Sequence, residues 1–246
     1  MLLYYITDRR QFPGSAAEGR AALLRKIAEA ARCGVDYIQL REKDLTASEL
    51  LELAEDAAAA IRSAAPRQPK TWIHKLETGN QKLGTLLLIN SRLDVALACG
   101  ADGVHLRSDD IPAADVRAAW MKAASAGDSG LATRECLIAC SCHTAEDVLR
   151  AESDGADFVV FAPVFEKGGQ RGVGLEALRA ACRASPEASP AVNLPVLALG
   201  GVTLDNAQAC REAGAAGIAG IRLFQDNDVA EVVARLRNIA TAKDAK

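Results

Sequence analysis

The sequence predicts an α/β protein folded as a single (β/α)8 TIM barrel, and two observations carry that expectation. Eight short apolar runs recur along its 246 residues, most of them separated by Ala-rich amphipathic segments. Several units also repeat one phrase, a helix closed by Gly-Ala/Val-Asp and followed at once by a strand. Cys33-Gly34-Val35-Asp36, Cys99-Gly100-Ala101-Asp102 and Asp154-Gly155-Ala156-Asp157 show it, with Ala213-Gly214-Ala215-Ala216 as a fourth, altered copy. Glycine there suits a helix C-cap with a left-handed backbone. A doubly wound open sheet is the competing architecture, but no Gly-x-Gly-x-x-Gly turn marks it.

In order, the predicted strands are Leu2–Thr7, Tyr37–Arg41, Thr85–Asn90, Gly103–Leu106, Leu137–Ser141, Phe158–Phe161, Pro195–Gly200 and Gly217–Arg222. Each is a run of apolar or β-branched residues bounded by turn formers. Ala21–Arg32, Ala47–Ala60, Ala145–Glu152, Leu175–Arg183 and Leu204–Ala213 read as helices between them, and Val229–Ala240 as a last helix. Pro66–Gly84 and Ser125–Glu135 are longer and more polar than strand-helix links require. They predict surface insertions near 66–84 and 125–135 of the one domain. His74 falls in the first and is read as non-catalytic.

Half the residues are hydrophobic but only 4% are aromatic, so the core must be built from Ala, Leu, Val and Ile. A net charge of -3 without a long basic run argues against a nucleic-acid surface. No apolar stretch approaches the roughly 20 residues that span a bilayer, and Met1–Tyr5 shows no signal peptide. A cytoplasmic protein with no membrane association is expected, and the sequence leaves its oligomeric state open, homo-oligomers included. Seven cysteines are scattered along the chain. Cys140-x-Cys142 beside His143 is too tight for a zinc knuckle and has no second pair, so buried free thiols are expected.

In a barrel of this kind the ligand face is made by residues at the carboxyl ends of the strands. The second strand offers Gln39, Arg41 and Lys43, with Glu42 between the two cations. Two fixed cations at one strand end suit a phosphorylated or diphosphorylated small molecule. The third strand ends in Asn90-Ser91-Arg92, the fourth in His105-Leu106-Arg107-Ser108-Asp109-Asp110 and the fifth in Ser141-Cys142-His143-Thr144. The sixth leads to Phe165–Gly172, a Gly-rich loop whose Lys167 and Arg171 suit a lid over an anion. Gly200-Gly201 at the end of the seventh strand, and Gly220-Ile221-Arg222 at the end of the eighth, lead into the loops where barrels often hold phosphate. His143 is a candidate for proton transfer or for one structural hydrogen bond. His105 is read as packed. Asp109 and Asp110 are Mg2+ ligands or helix caps, since Asp110-Ile111-Pro112 also reads as an N-terminus.

These motifs resemble the thiamine phosphate synthases and the related TenI-type thiazole tautomerases. The resemblance spans nearly the whole chain. It rests on Gln39–Lys43, Leu88-Ile89-Asn90, Ala101–Leu106, Ser141–Thr144, Asp154–Phe158, Ala162–Phe165 and Ala198–Thr203. For a synthase it implies coupling of a hydroxymethylpyrimidine diphosphate to a thiazole phosphate, with release of pyrophosphate and use of Mg2+. Gln39, Arg41, Lys43 and Asn90 would then hold the pyrimidine diphosphate, Ser141 would contact its diphosphate and Asp110 would bind metal. Lys167 would assist from its loop, and Gly200, Gly201, Ile221 and Arg222 would line the thiazole phosphate site. The family mechanism is dissociative, with a pyrimidine carbocation trapped by the thiazole nitrogen. Three departures matter: Ser91 stands where an Asp metal ligand is usual, Glu166–Gly169 replaces Thr-x-Thr-Lys, and Arg222 replaces a Ser. They leave two alternatives, a metal-independent tautomerase with His143 moving the proton, and a non-catalytic thiazole or thiamine phosphate binder.

Overall fold

The computed structural model describes residues 1–64, 84–126, 135–166, 168–169, 171–183 and 194–241. Eight parallel strands close into a barrel in chain order, β1 to β8: Leu2–Ile6, Tyr37–Leu40, Leu86–Asn90, Gly103–Leu106, Leu137–Cys142, Phe158–Phe161, Val196–Ala198 and Gly217–Gly220. The last strand pairs with the first from Leu2↔Gly217 to Tyr5↔Gly220. The helices are α1 (Ala16–Cys33), α2 (Ala47–Ser63), α3 (Leu93–Cys99), α4 (Ala113–Ala126), α5 (Ala145–Ser153), α6 (Gly174–Arg183), α7 (Ala207–Glu212), α8 (Arg222–Gln225) and α9 (Val229–Thr241). The predicted (β/α)8 architecture is present. Residues 65–83 and 127–134, almost all of the two expected insertions with His74, lie outside the described residues.

Local sequence explains several helix ends. Ser15 with Glu18, Thr46 with Glu49 and Thr144 with Asp147 form capping boxes that start α1, α2 and α5. Gly34 and Gly100 end α1 and α3 in the left-handed conformation, with φ of 82° and 65°. The seventh strand is shorter than Pro195–Gly200, because Gly200 turns left-handed at φ 93°. Helix α7 begins at Ala207 rather than Leu204. Asn206 accepts from the Thr203 N–H at 2.8 Å and donates to the Gly201 carbonyl at 3.0 Å, which makes a turn of those residues.

Strand alternation separates two packed layers. Leu2, Tyr4, Tyr37, Leu88, Phe158 and Leu197 fill the barrel interior, where the Tyr37 and Phe158 rings stack at 4.9 Å. Leu3, Ile38, Val104, Ile138 and Val159 pack outward against the helices. Cys140 and Cys142 face this outer layer, and burial pushes both thiols up to about 12. They are free, as expected, and stand on one face of β5 under helices.

The repeated Gly-Ala/Val-Asp phrase has a second purpose beyond its glycine. Its aspartates staple neighbouring strands at the base of the barrel. Asp36 accepts from the Leu3 N–H at 2.7 Å, Asp102 from Leu87 at 2.9 Å and Asp157 from Ile138 at 2.8 Å. Arg237 on α9 reaches both oxygens of Asp36 at 2.9 and 2.8 Å, and Arg117 on α4 reaches Asp157 at 2.9 Å. Those two guanidiniums therefore tie outer helices to strand ends.

Candidate functional site

At the opposite rim, the same alternation that points Tyr37, Leu88 and Ala139 inward carries Gln39, Asn90 and Ser141 into the mouth two residues later. His105 joins them from β4. Four polar side chains therefore sit directly above an apolar layer. Sequence reasoning had chosen three of them by strand-end position.

Two hydrogen-bonded chains organise this layer. In the first, Gln39 Nε2 donates to Asn90 Oδ1 at 2.9 Å, and Asn90 Nδ2 donates to Ser91 Oγ at 3.3 Å. Ser91 Oγ donates to Asp110 Oδ2 at 2.6 Å, and the same oxygen accepts from the Arg107 N–H at 2.7 Å. All donors point one way, so Gln39 keeps its carbonyl oxygen for an outside donor. In the second chain, Tyr4 Oη lies 3.1 Å from His105 Nδ1, and His105 Nε2 lies 2.8 Å from Ser141 Oγ. Burial, with the charge of Arg41 adding to it, lowers the imidazole to about 3, so His105 is neutral. The expectation of a packed His105 holds, but it is packed as a bridge.

The end of β2 is fixed from below. Glu42, 5% exposed, accepts from Thr7 Oγ1 at 2.6 Å and from the Arg9 N–H at 3.0 Å. Thr7 Oγ1 in turn accepts from the Arg41 N–H at 3.0 Å. Arg9 completes the clamp with a bidentate pair to Asp44, 2.8 Å on both arms. Glu42 is thus an internal anchor, and the cations on either side of it remain available. Among the described residues Arg41 and Lys43 make no side-chain hydrogen bond or ion pair. Burial lowers the Arg41 guanidinium from its ordinary value, and Arg41 is the first cause of a lowered Lys43 ammonium. Arg10 and Arg107 add to the same positive field. Such mutual repulsion calls for an anion.

The carboxylates around Ser91 are differently placed. Asp94 is held by Arg92 at 2.8 and 2.5 Å, and Asp109 by Arg107 at 2.9 and 2.6 Å. Neither stands in for the carboxylate missing at Ser91. Asp110 is not a helix cap; Ser91 Oγ and the Arg107 N–H engage its Oδ2, and the Arg107 guanidinium lies 3.8 Å from its Oδ1. Ser91 has φ 56°, the left-handed region in which Asn and Asp are more usual than Ser. No group of three or more His, Cys, Asp or Glu able to hold a metal occurs among the described residues. One carboxylate oxygen suits Mg2+ shared with phosphate oxygens and water, the usual habit of that ion, rather than an all-protein cage.

His143 is exposed at the end of β5. Its Nδ1 lies 2.7 Å from the Ala162 carbonyl, which can only accept, so Nδ1 is the donor there. The loop after β6 is closed at its neck, where Val164 and Phe165 donate to the Leu199 and Gly200 carbonyls at 2.9 Å each. Lys167 lies outside the described residues. The Gly200-Gly201 pair is needed by this neck. With φ of 93° and 65°, a Cβ would fall 2.7 Å from Pro163 Cα and 2.6 Å from the Glu166 carbonyl oxygen. Close approach between two loops, rather than approach of ligand alone, explains these glycines. Ile221 is half-buried and Arg222 exposed beside them, at the start of α8.

Sequence reasoning missed Thr7, Arg9 and Arg10, because the strand-end criterion stopped short of β1. Applied there, it selects the Thr7–Arg10 run directly. The inward face of Tyr4 carries no such mark.

Comparison with known proteins agrees with this arrangement. The family described as thiamine monophosphate synthase matches residues 3–224. A putative thiamine-phosphate synthase 2 of Aquifex aeolicus is 34% identical over 90% of this chain and 96% of its own length. The thiamine-phosphate synthase of Methanoculleus marisnigri is 34% identical over 98% and 96%. A solved thiamine phosphate pyrophosphorylase from Pyrococcus furiosus superposes with a TM-score of 0.68 at 28% identity, over 98% of this chain and 96% of that one. With its motifs in register on a closed barrel and these matches across nearly its whole length, the chain belongs to the thiamine monophosphate synthase family.

Proposed function

We propose that this chain is a thiamine-phosphate synthase, a transferase that couples hydroxymethylpyrimidine diphosphate to thiazole phosphate and releases pyrophosphate. One observation carries the reading: among the described residues Arg41 and Lys43 stand without ion pairs, beside the polar layer of Gln39, Asn90 and Ser141. That layer suits a flat heteroaromatic ring carrying amino and ring-nitrogen groups, and the cations suit its diphosphate.

In this reading Gln39 and Asn90 orient the pyrimidine, with Gln39 Oε1 as acceptor. Arg41, Lys43 and Ser141 grip the diphosphate, and Lys167 assists from the loop after β6. As charge builds on the departing pyrophosphate, these fixed cations stabilise it without reorganising. Asp110, with Ser91 beside it, would hold Mg2+, whose chemistry there would be neutralisation of phosphate charge. Gly200, Gly201, Ile221 and Arg222 hold the thiazole phosphate so that its ring nitrogen meets the pyrimidine carbon. The buried apolar floor of Tyr4, Phe158 and Val160 would shield a cationic intermediate from water.

The second reading, a thiazole tautomerase, is favoured by one feature. His143 is exposed at the end of β5, and no metal is required for moving a proton. An assay with both substrates across a Mg2+ series separates the two. Thiamine phosphate formed in a Mg2+-dependent manner is expected. No product at any metal concentration, with isomerisation of the carboxylated thiazole phosphate that is lost in His143→Ala, would replace the synthase by the tautomerase.

A further inference from the structure

We propose that Tyr4 and His105 are positioning residues that set the direction of the Ser141 hydrogen bond, so that Ser141 serves a bound phosphate oxygen as a donor. The proposal deepens the synthase reading and rests on it only for the identity of the anion. Its basis is the chain Tyr4 Oη, His105 Nδ1, His105 Nε2, Ser141 Oγ, with separations of 3.1 and 2.8 Å.

The direction follows from counting hydrogens. A neutral imidazole has one N–H and one lone pair, so His105 donates at one end and accepts at the other. Tyr4 is fully buried between aromatic rings, with Phe158 edge-on at 5.4 Å and Tyr37 at 6.0 Å. If Nδ1 carried the hydrogen, Tyr4 would have to accept it. The phenolic hydrogen, fully buried, would then lack an acceptor among the described residues. A buried donor left unpaired is the unfavourable arrangement. The opposite direction pairs the phenolic hydrogen and both ring nitrogens: Tyr4 O–H donates to Nδ1, and Nε2–H donates to Ser141 Oγ.

Ser141 is then an acceptor toward the barrel interior. Its own hydrogen has no acceptor among the described residues, and the residue is part-exposed at the mouth. It therefore faces the anion as a donor. Had the imidazole been reversed, Ser141 would spend its hydrogen on Nε2 and present only lone pairs to a phosphate. Burial, which keeps the ring uncharged, prevents the alternative in which both nitrogens donate. The relay so converts a fixed phenol at the barrel floor into the polarity of a hydroxyl at its rim.

Two measurements test this. Long-range 1H–15N correlation of the three imidazoles in [15N]His-labelled protein, with His105 assigned from His105→Gln, is expected to show Nε2 protonated and Nδ1 bare. In Tyr4→Phe the same ring is expected to become a mixture of tautomers. Calorimetric titration with inorganic pyrophosphate then reads the consequence, and needs no turnover. Ser141→Ala is expected to weaken it about tenfold, as for one hydrogen bond to a charged group. Tyr4→Phe is expected to weaken it several-fold, and the double variant no more than Ser141→Ala alone. A wild-type Nδ1–H tautomer or an imidazolium overturns the proposal, as do pyrophosphate losses that multiply in the double variant. Failure of the synthase reading shows instead as absent product with these signatures intact.

Discussion

Both rims of the barrel carry charged residues next to strand ends, and they put them to opposite use. At the base, Asp36 and Asp157 each accept a strand N–H and face a guanidinium from an outer helix. Their charge is answered inside the folded chain. At the mouth, Arg41 and Lys43 are held in place by backbone and neighbours, yet no ion pair answers either of them among the described residues. Glu42 lies between them and is already committed to Thr7 and Arg9. The contrast teaches that a strand-end charge announces nothing by itself. Its partner does: a compensated charge belongs to the scaffold, and an uncompensated one waits for a ligand.

The largest effect should come from breaking the base. Burial raises the Asp36 carboxyl even with Arg237 beside it, so the guanidinium holds a carboxylate that the interior disfavours. Arg237→Ala leaves that group buried and unpaired, and removes donors to the Gly34 and Met1 carbonyls as well. A loss of roughly 3 to 5 kcal/mol in urea unfolding is expected, with pyrophosphate affinity unchanged in the folded protein. If stability fell by under about 1 kcal/mol, of the size of an exposed pair, the base would be no more of a scaffold than the mouth.

The mouth should respond in the reverse sense. Arg41→Ala is expected to remove roughly 2 to 5 kcal/mol of diphosphate binding, the range for truncating one partner of a desolvated ion pair. Its urea midpoint should move far less than that of Arg237→Ala, since no protein carboxylate is left unpaired. The Lys43 ammonium should rise toward its ordinary value, because Arg41 is the first cause of its lowering. Equal diphosphate affinity in the variant and the parent would remove the mouth from the binding site.

The scaffold was more legible in the sequence than the site. Eight apolar runs gave the strands to within a residue or two, because parallel strands buried on both faces read as continuous hydrophobic stretches. The errors fell at α1, which starts at Ala16 instead of Ala21, at α3 and α4, which were omitted, and at β8, which was run on into the start of α8. They fell also at β7, where Gly200 turns early, and at α7, where Asn206 bonds to Thr203 before a helix can begin. Local chemistry decides such ends, and a periodic pattern does not reveal it. Within the site, Gln39, Asn90 and Ser141 were visible by strand-end position alone. The partnership of Tyr4 with His105 was not, since it joins residues 101 positions apart. The repeated aspartate of the Gly-Ala/Val-Asp phrase was seen without its acceptor role, which depends on the neighbouring strand. The glycines at 200 and 201 were noticed for the right place and assigned a different reason.

A smaller effect sharpens the comparison, because His105 belongs to both regions: a mouth residue that is also buried like scaffold. Its folded pKa of about 3 lies below the unfolded value of 6.5. Between those values the unfolded chain binds a proton that the folded chain refuses, so stability falls as pH drops through this window. Above pH 6.5 the contribution is flat. At pH 5 the loss attributable to this one ring should reach about 2 kcal/mol. Carboxylates such as Glu42 and Asp36 titrate as well, so the informative quantity is the difference between the parent and His105→Asn in urea unfolding at each pH. That difference should shrink by about 2 kcal/mol from pH 7 to pH 5, as the parent alone meets the cost of keeping an imidazole neutral. Curves that stay parallel over that range would mean the ring gains its proton in the folded state. The imidazolium would then donate at both nitrogens, and the mouth would hold one more cation beside Arg41.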